Sequence, residues 1–171
     1  TENPLPAEVR EEINPEKAFE NAAAFVKNIG ADVRDGGDRA FYQPSGDFIG
    51  MPNSNLFKHA AGYWSTSLHE HVHWTGHESR LKRDGITKFA GFGSESYAFE
   101  ELVAELGSCF IATHLNITSS PREDHAHYLN SWIKCLEDND DAIWKASSLA
   151  NKSFDYCKNL QPQTNAIKEV A

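Results

Sequence analysis

The segment Ser65-Thr66-Ser67-Leu68-His69-Glu70-His71-Val72-His73-Trp74-Thr75-Gly76-His77 carries His-Glu-x-x-His, the feature that most restricts what this chain can become. On a helix, positions i and i+4 lie one above the other on the same face. His69 and His73 can therefore bind one cation, and Glu70 stands beside them to take a proton from bound water. That is the mechanical content of a zinc-hydrolase helix. The pattern demands a helix here, a third ligand elsewhere, and a scaffold that brings the two together.

Three candidates for the third ligand follow the motif. A histidine six residues beyond His73 would complete His-Glu-x-x-His-x-x-Gly-x-x-His, and Gly76 fits, but Ser79 occupies the ligand position. His77 lies two turns from His69, so on a straight helix the two stand about 12 Å apart at 1.5 Å per residue. His77 is read as a helix-end or outer-shell residue. The third candidate is a carboxylate in Tyr97-Ala98-Phe99-Glu100-Glu101-Leu102-Val103-Ala104-Glu105. Glu101 and Glu105 face the same way among Leu, Ala and Tyr, where burial is costly without a cation or donor. Glu101 is expected as ligand and Glu105 as acceptor for a ligand imidazole N–H. Glu100, rotated about 100° around the helix, is expected to be more exposed. The competing reading is a charged face paired with Lys or Arg. His-His-Glu leaves a fourth position for water, which is a catalytic rather than a structural zinc geometry. His71 is expected to point away from the ligands, and His59, His114, His125 and His127 have no ligand spacing.

With 171 residues, the chain suits one domain with one core. A formal net charge of −9 gives no general electrostatic footprint for nucleic acid. Arg80, Lys82 and Arg83 form a small basic cluster read as solvated surface, with a rim for an acidic partner as the alternative. No run of about 18 apolar residues suggests a membrane span. No charged-then-apolar segment opens the sequence, and Cys109, Cys135 and Cys157 lack zinc-site spacing and are read as reduced thiols. A cytoplasmic protein is expected. The start at Thr1 suggests a processed chain or an excised domain.

Residues 1–14 read as a mobile leader, 15–158 as the folded domain and 159–171 as a tail. Asn14-Pro15 opens a helix over 15–29, closed by Gly30. Strands are expected over Ala31–Arg34, Arg39–Gln43 and Asp47–Met51, forming a small antiparallel sheet before the motif helix. An edge of such a sheet can pair with an extended peptide, although a purely structural sheet is as plausible. A short helical turn ends at Gly62, and the motif helix runs from Tyr63 to His77. Residues 78–94 are expected to form a long loop beside the cleft. Helices follow from Ser94 or Glu95, after Pro121, and near Asp138 to Asp141. The fold class is α+β and mainly helical.

Tyr63-Trp64-Ser65-Thr66 leading into His69-Glu70-x-x-His73-Trp74-Thr75-Gly76-His77-x-Ser79-Arg80-Leu81 resembles the metallopeptidase domain of ArdC-type antirestriction proteins, plasmid TraC primases and phage polyvalent proteins. Phe92-Gly93-Ser94-Glu95-x-Tyr97-Ala98-x-Glu100-Glu101-Leu102-Val103-Ala104-Glu105-Leu106-Gly107 continues the match, as do Phe41-Tyr42-x-Pro44, Asp47-x-Ile49-x-Met51-Pro52 and the helices around Tyr128–Trp132 and Ala142–Ala150. The resemblance covers about residues 15–158. It implies a zincin-like fold with a Glu third ligand in the later helix. It also implies a separate N-terminal domain for single-stranded DNA, for which this chain has no room. His71 departs from the small or apolar residue usual at that position.

Two functions follow as expectations. One is a zinc-dependent metallopeptidase of a mobile element, with one Zn2+ and a protein or peptide substrate. In it, Glu70 serves as general base and then acid, and Tyr97 is either an oxyanion donor or a packing residue. The other is a catalytically silent zincin-shaped module that blocks restriction or assists single-stranded DNA handling. Nucleic acid would then be met only through a domain outside this chain.

Overall fold

The computed structural model describes residues 14–88, 94–117, 132–134, 136–137 and 139–162. The first helix, α1 (Pro15–Ile29), has the expected ends. Asn14 Oδ1 accepts from the backbone N–H groups of Glu16 and Lys17, and Gly30 closes the helix at φ 75°. Ala18, Ala22, Phe25 and Ile29 recur on one face and are buried there, the stripe a packed helix requires.

The sheet comprises β1 (Asp32–Asp35), β2 (Phe41–Gln43) and β3 (Phe48–Met51). Its order is β1-β3-β2. The hairpin partners β2 and β3 run antiparallel, with Tyr42 opposite Ile49, whereas β1 and β3 run parallel, with Val33 opposite Ile49. The sheet is therefore mixed rather than wholly antiparallel. The physical reason lies in burial: β3 carries the fully buried Ile49 and Met51 and takes the centre, leaving β1 to pair with its free edge.

A 3-10 turn at Ser54–Leu56 leads to α2 (Ala60–Thr75). The helix starts three residues before the expected Tyr63 and ends two before His77; Gly62 lies inside it, and the backbone N–H of Gly76 caps it through His73 and Trp74 carbonyls. Every residue from Ser67 to Gly76 is buried. A helix enclosed on all sides needs a partner for each polar group it carries. Thr75 Oγ1 accordingly donates to the Val72 carbonyl at 2.6 Å, and His71 Nδ1 sits 2.7 Å from the Ser67 carbonyl.

The segment expected as a loop contains a short helix, α3 (Asp84–Thr87). The long helix α4 (Glu95–His114) is capped by Ser94, whose Oγ accepts from the Tyr97 N–H. The last helix is α5 (Ala142–Asn159). Helix α2 forms the hub, packed against α1, α4, α5, β2 and β3, while α4 also packs along α5. Gly107 permits the α2–α4 approach, since a Cβ there would stand 2.9 Å from Val72 Cγ2. Gln161, two residues after α5, ties that end of the chain to α1, donating to the Phe25 carbonyl and accepting from Asn28 Nδ2. The helix expected after Pro121 lies mostly outside the described residues; Trp132–Lys134 are helical. Among the described residues, no helix is long and apolar enough to cross a membrane.

Candidate metal centre

One turn of α2 separates His69 from His73, and both imidazoles face α4. Their Nε2 atoms are 3.1 Å apart. Glu101 reaches both, with Oε2 3.3 Å from His69 Nε2 and Oε1 3.4 Å from His73 Nε2. Ligands about 2.0–2.1 Å from a tetrahedral ion stand about 3.3 Å from one another, so these spacings fit a single cation. The three residues form the one group of potential ligands identified among the described residues.

The electrostatics point the same way. Burial opposes charge on His73, yet Glu101, Glu100 and Glu70 surround it and lift its pKa to about 10. Burial likewise favours the neutral form of Glu101, but His73 and His69 outweigh it and hold the carboxyl well below its usual range. A cluster that draws a proton onto a buried imidazole is one in which positive charge is stabilised. A divalent cation at the facing Nε2 atoms would supply it, so the donor set fits the metal that the motif implies.

Glu70 is 5% exposed, on the same buried stretch of α2. Glu105 Oε2 lies 3.4 Å from His69 Nδ1, one helical turn beyond Glu101. Tyr97 is half-buried in the first turn of α4. His77 lies past the end of α2, and its Nδ1 accepts from the Ser79 backbone N–H and contacts Ser79 Oγ at 2.8 Å. It is engaged in this local turn, with the charge of Asp47 nearby.

Three expectations are corrected here. Glu100 is not the exposed acid of α4 but is 3% exposed, with Oε1 3.2 Å from His73 Nδ1. Arg83 is not solvated surface: it is 5% exposed, and its Nε lies 3.1 and 3.0 Å from the two Glu100 oxygens. The side chain of Arg80 is 7% exposed; its guanidinium lies 3.7 Å over the Trp74 ring and pairs with Asp47 and Tyr42. Of the basic cluster only Lys82 is exposed, paired with Glu78. His71 does point away from the ligands as expected, but into the interior, where burial lowers its pKa to about 4 against the favourable Ser67 contact.

Glu100 and Arg83 are the site residues that sequence reasoning missed. The signal available was indirect. Three acids in one turn and a half of an otherwise apolar helix cannot all be buried around one cation. A second positive group was needed, and the arginines between the two motif helices were the candidates.

Comparison with known proteins agrees with this geometry. The family model for zincin-like metallopeptidases of the MPTase-PolyVal type matches residues 20–149. Two Escherichia coli proteins named DNA primase TraC are 43% and 44% identical over 153 and 140 residues, 86% and 81% of this chain but 14% and 9% of those proteins. An uncharacterized protein of Sinorhizobium fredii, y4eC, is 38% identical over 90% of this chain and 50% of its own length. Crystal structures of the antirestriction protein ArdC from plasmid R388 superpose with TM-scores of 0.71 for the metal-free form and 0.73 for the Mn(II)-bound form. These matches have 40% and 37% identity, and cover 86% and 92% of this chain and 51% and 58% of those chains. The chain thus spans a small part of the TraC proteins and about half of y4eC and ArdC. With the motif, the buried His-His-Glu cluster and the sequence match coinciding, the chain belongs to the zincin-like metallopeptidase family.

Proposed function

We propose that residues 15–158 form a zinc-dependent metallopeptidase domain of an antirestriction-type protein from a mobile element. Asn14, which caps α1, and Gln161, which ties the end of α5 to α1, belong to the same packed unit. The observation that carries the reading is the convergence of His69 Nε2, His73 Nε2 and both Glu101 oxygens within 3.1–3.4 Å, with Glu70 beside His69. In this reading, His69, His73 and Glu101 are the ligands. A divalent ion held by these three residues would supply Lewis-acid polarisation of a scissile carbonyl and a more acidic water. Glu70 would accept a proton from the attacking water and pass it to the leaving amine nitrogen. Glu105 orients His69 by accepting from Nδ1–H, Tyr97 donates to the developing oxyanion, and His77 holds the chain at the end of α2. The solved ArdC neighbour holds Mn(II), which makes manganese the second metal to test. The substrate is a protein or peptide, and the setting cytoplasmic. Nucleic acid would be met only through segments outside this chain, in keeping with the net charge of −9.

A second reading is a zincin-shaped module that blocks restriction or assists single-stranded DNA handling without cutting. Its supporting observation is burial: Glu70 is only 5% exposed, and His69 and His73 are 3% and 7% exposed. The deciding comparison pairs Glu70→Gln with His69→Ala in an antirestriction assay and in peptide cleavage. Peptide hydrolysis lost in Glu70→Gln while metal is retained supports the peptidase. Antirestriction that survives Glu70→Gln but not His69→Ala supports the silent module, and hydrolysis persisting in Glu70→Gln refutes the proposed base.

A further inference from the structure

We infer that Arg83 is a positioning residue for the metal centre, acting through Glu100 on His73. The inference rests on His73 being a metal ligand.

The guanidinium of Arg83 is fully committed. Nε faces both oxygens of Glu100, Nη2 is 2.6 Å from Glu100 Oε1 and 2.7 Å from the Val72 carbonyl, and Nη1 is 2.7 Å from Thr75 Oγ1 and 2.9 Å from Ser153 Oγ. Its backbone N–H also donates to the Gly76 carbonyl. The side chain therefore grips α2 on both sides of His73, at Val72 and at Thr75. With Arg83 donating to both its oxygens, Glu100 meets His73 as an acceptor. Its Oε1, 3.2 Å from His73 Nδ1, calls for the proton on Nδ1 and leaves the Nε2 lone pair facing His69 and Glu101. A carboxylate behind a ligating imidazole fixes ring and tautomer in this way. Arg83 fixes the carboxylate.

Two glycines keep the space open. A Cβ on Gly76 would stand 2.8 and 2.9 Å from Arg83 Nη2 and Cζ, and one on Gly85 would stand 2.5 Å from Glu100 Cβ and 3.0 Å from Oε2. Gly76 has an ordinary helical φ of −77°, and its Cβ would also stand 2.7 Å from Ile86 Cγ1, so it is the room for Ile86 and the guanidinium together, not the backbone conformation, that favours a glycine. Lysine cannot replace Arg83, because a single ammonium lacks the planar fork that spans Glu100, α2 and α5 together.

The test measures Mn(II) and Zn(II) affinity, with the Co(II) absorption spectrum as a readout of ligand geometry, in wild type, Arg83→Lys, Glu100→Gln and the double variant. Thermal melts in chelator establish that each is folded. Ser153→Ala is the structural control, since it removes one Arg83 contact without touching Glu100. Affinity should fall about 10- to 100-fold in Arg83→Lys and in Glu100→Gln, with a shifted Co(II) spectrum. The double variant should lose no more than Glu100→Gln alone, and Ser153→Ala should melt earlier yet bind metal normally. A folded Arg83→Lys with wild-type affinity and spectrum, or losses that add in the double variant, would overturn the inference. If Arg83→Lys does not fold, unchanged affinity in Glu100→Gln overturns it instead. Wild-type protein that binds none of these ions overturns the metal site itself, and the inference with it.

Discussion

His69 and His73 present their Nε2 atoms to each other at 3.1 Å, with a Glu101 oxygen 3.3–3.4 Å from each. Two imidazole nitrogens so placed repel unless something positive lies between them.

Metal should therefore stabilise the fold. At a free concentration a hundred times its dissociation constant, a ligand specific for the folded state adds about 2.7 kcal/mol. For a domain of this size that raises Tm by about 5–10 °C. Differential scanning fluorimetry with Zn(II) or Mn(II) measures it. His69→Ala should show no such rise, and a rise equal to wild type would exclude His69 as a ligand.

The hydrolytic reading makes a kinetic prediction about Glu70. Its replacement by Gln should reduce turnover by about 10²–10⁴-fold while leaving the metal-induced rise in Tm intact. Loss of both together would mean that Glu70 acts in metal binding or folding rather than in proton transfer.

His71 is fully buried, and its Nε2 has no hydrogen-bond partner. Burial lowers its pKa to about 4, below the value of about 6.5 for an unfolded chain. The unfolded state therefore binds the proton first. The stability that neutral His71 confers is present above about pH 6.5 and drains away as pH falls toward 4. Linkage puts the loss between pH 7 and pH 5 at about 2 kcal/mol. Urea titrations in chelator should show that much of the acid sensitivity removed in His71→Leu; identical slopes in the two proteins would contradict it.

Asp47 closes the β2–β3 turn at φ 49° and pairs with Arg80, which also donates to the Trp74 carbonyl at 2.6 Å. The Arg80 hydrogen bond holds the Asp47 carboxyl below its usual range against the opposing effect of burial. The pair thus stabilises the fold above the unfolded carboxylate pKa, and the contribution disappears as pH falls through the lower folded value. Asp47→Asn should lower Tm at pH 7 and narrow its gap from wild type near pH 3. An unchanged gap would show that the pair contributes nothing through charge.

Gly107 predicts a packing effect. The Cβ of Gly107→Ala would meet Val72 Cγ2 and Cγ1 at 2.9 and 3.0 Å, and overpacking of this kind costs about 1–3 kcal/mol. Val72→Ala in the same chain should recover part of the loss. Additive destabilisation in the double variant would show that the two positions do not compete for space.

The parts legible in the sequence were those governed by local rules. Asn14-Pro15 and Gly30 fixed α1 to the residue, because caps act within one turn. The clustering of His69, His73 and Glu101 is legible because the motif implies metal chemistry, which restricts both residue type and spacing. Glu100 and Arg83 were hidden for the opposite reason. Helical periodicity assigns a face only when one side meets water, and α4 is enclosed by α2, α3 and α5. Periodicity puts Glu100 outside because it presumes a single apolar face. Arg83 and Lys82 look alike in sequence because adjacency says nothing about direction across a turn with Lys82 at φ 49°. The parallel β1–β3 pairing was equally invisible, since strand patterns do not encode which neighbour a central strand takes.

The Arg83–Ser153 contact has a thermodynamic reach beyond the spot where it is made. It joins the middle of α5 to the same hydrogen-bonded unit as Glu100 and His73. Regions joined in this way open together rather than one at a time. An ion held between α2 and α4 would thereby slow amide exchange in a helix that contributes none of the three clustered residues.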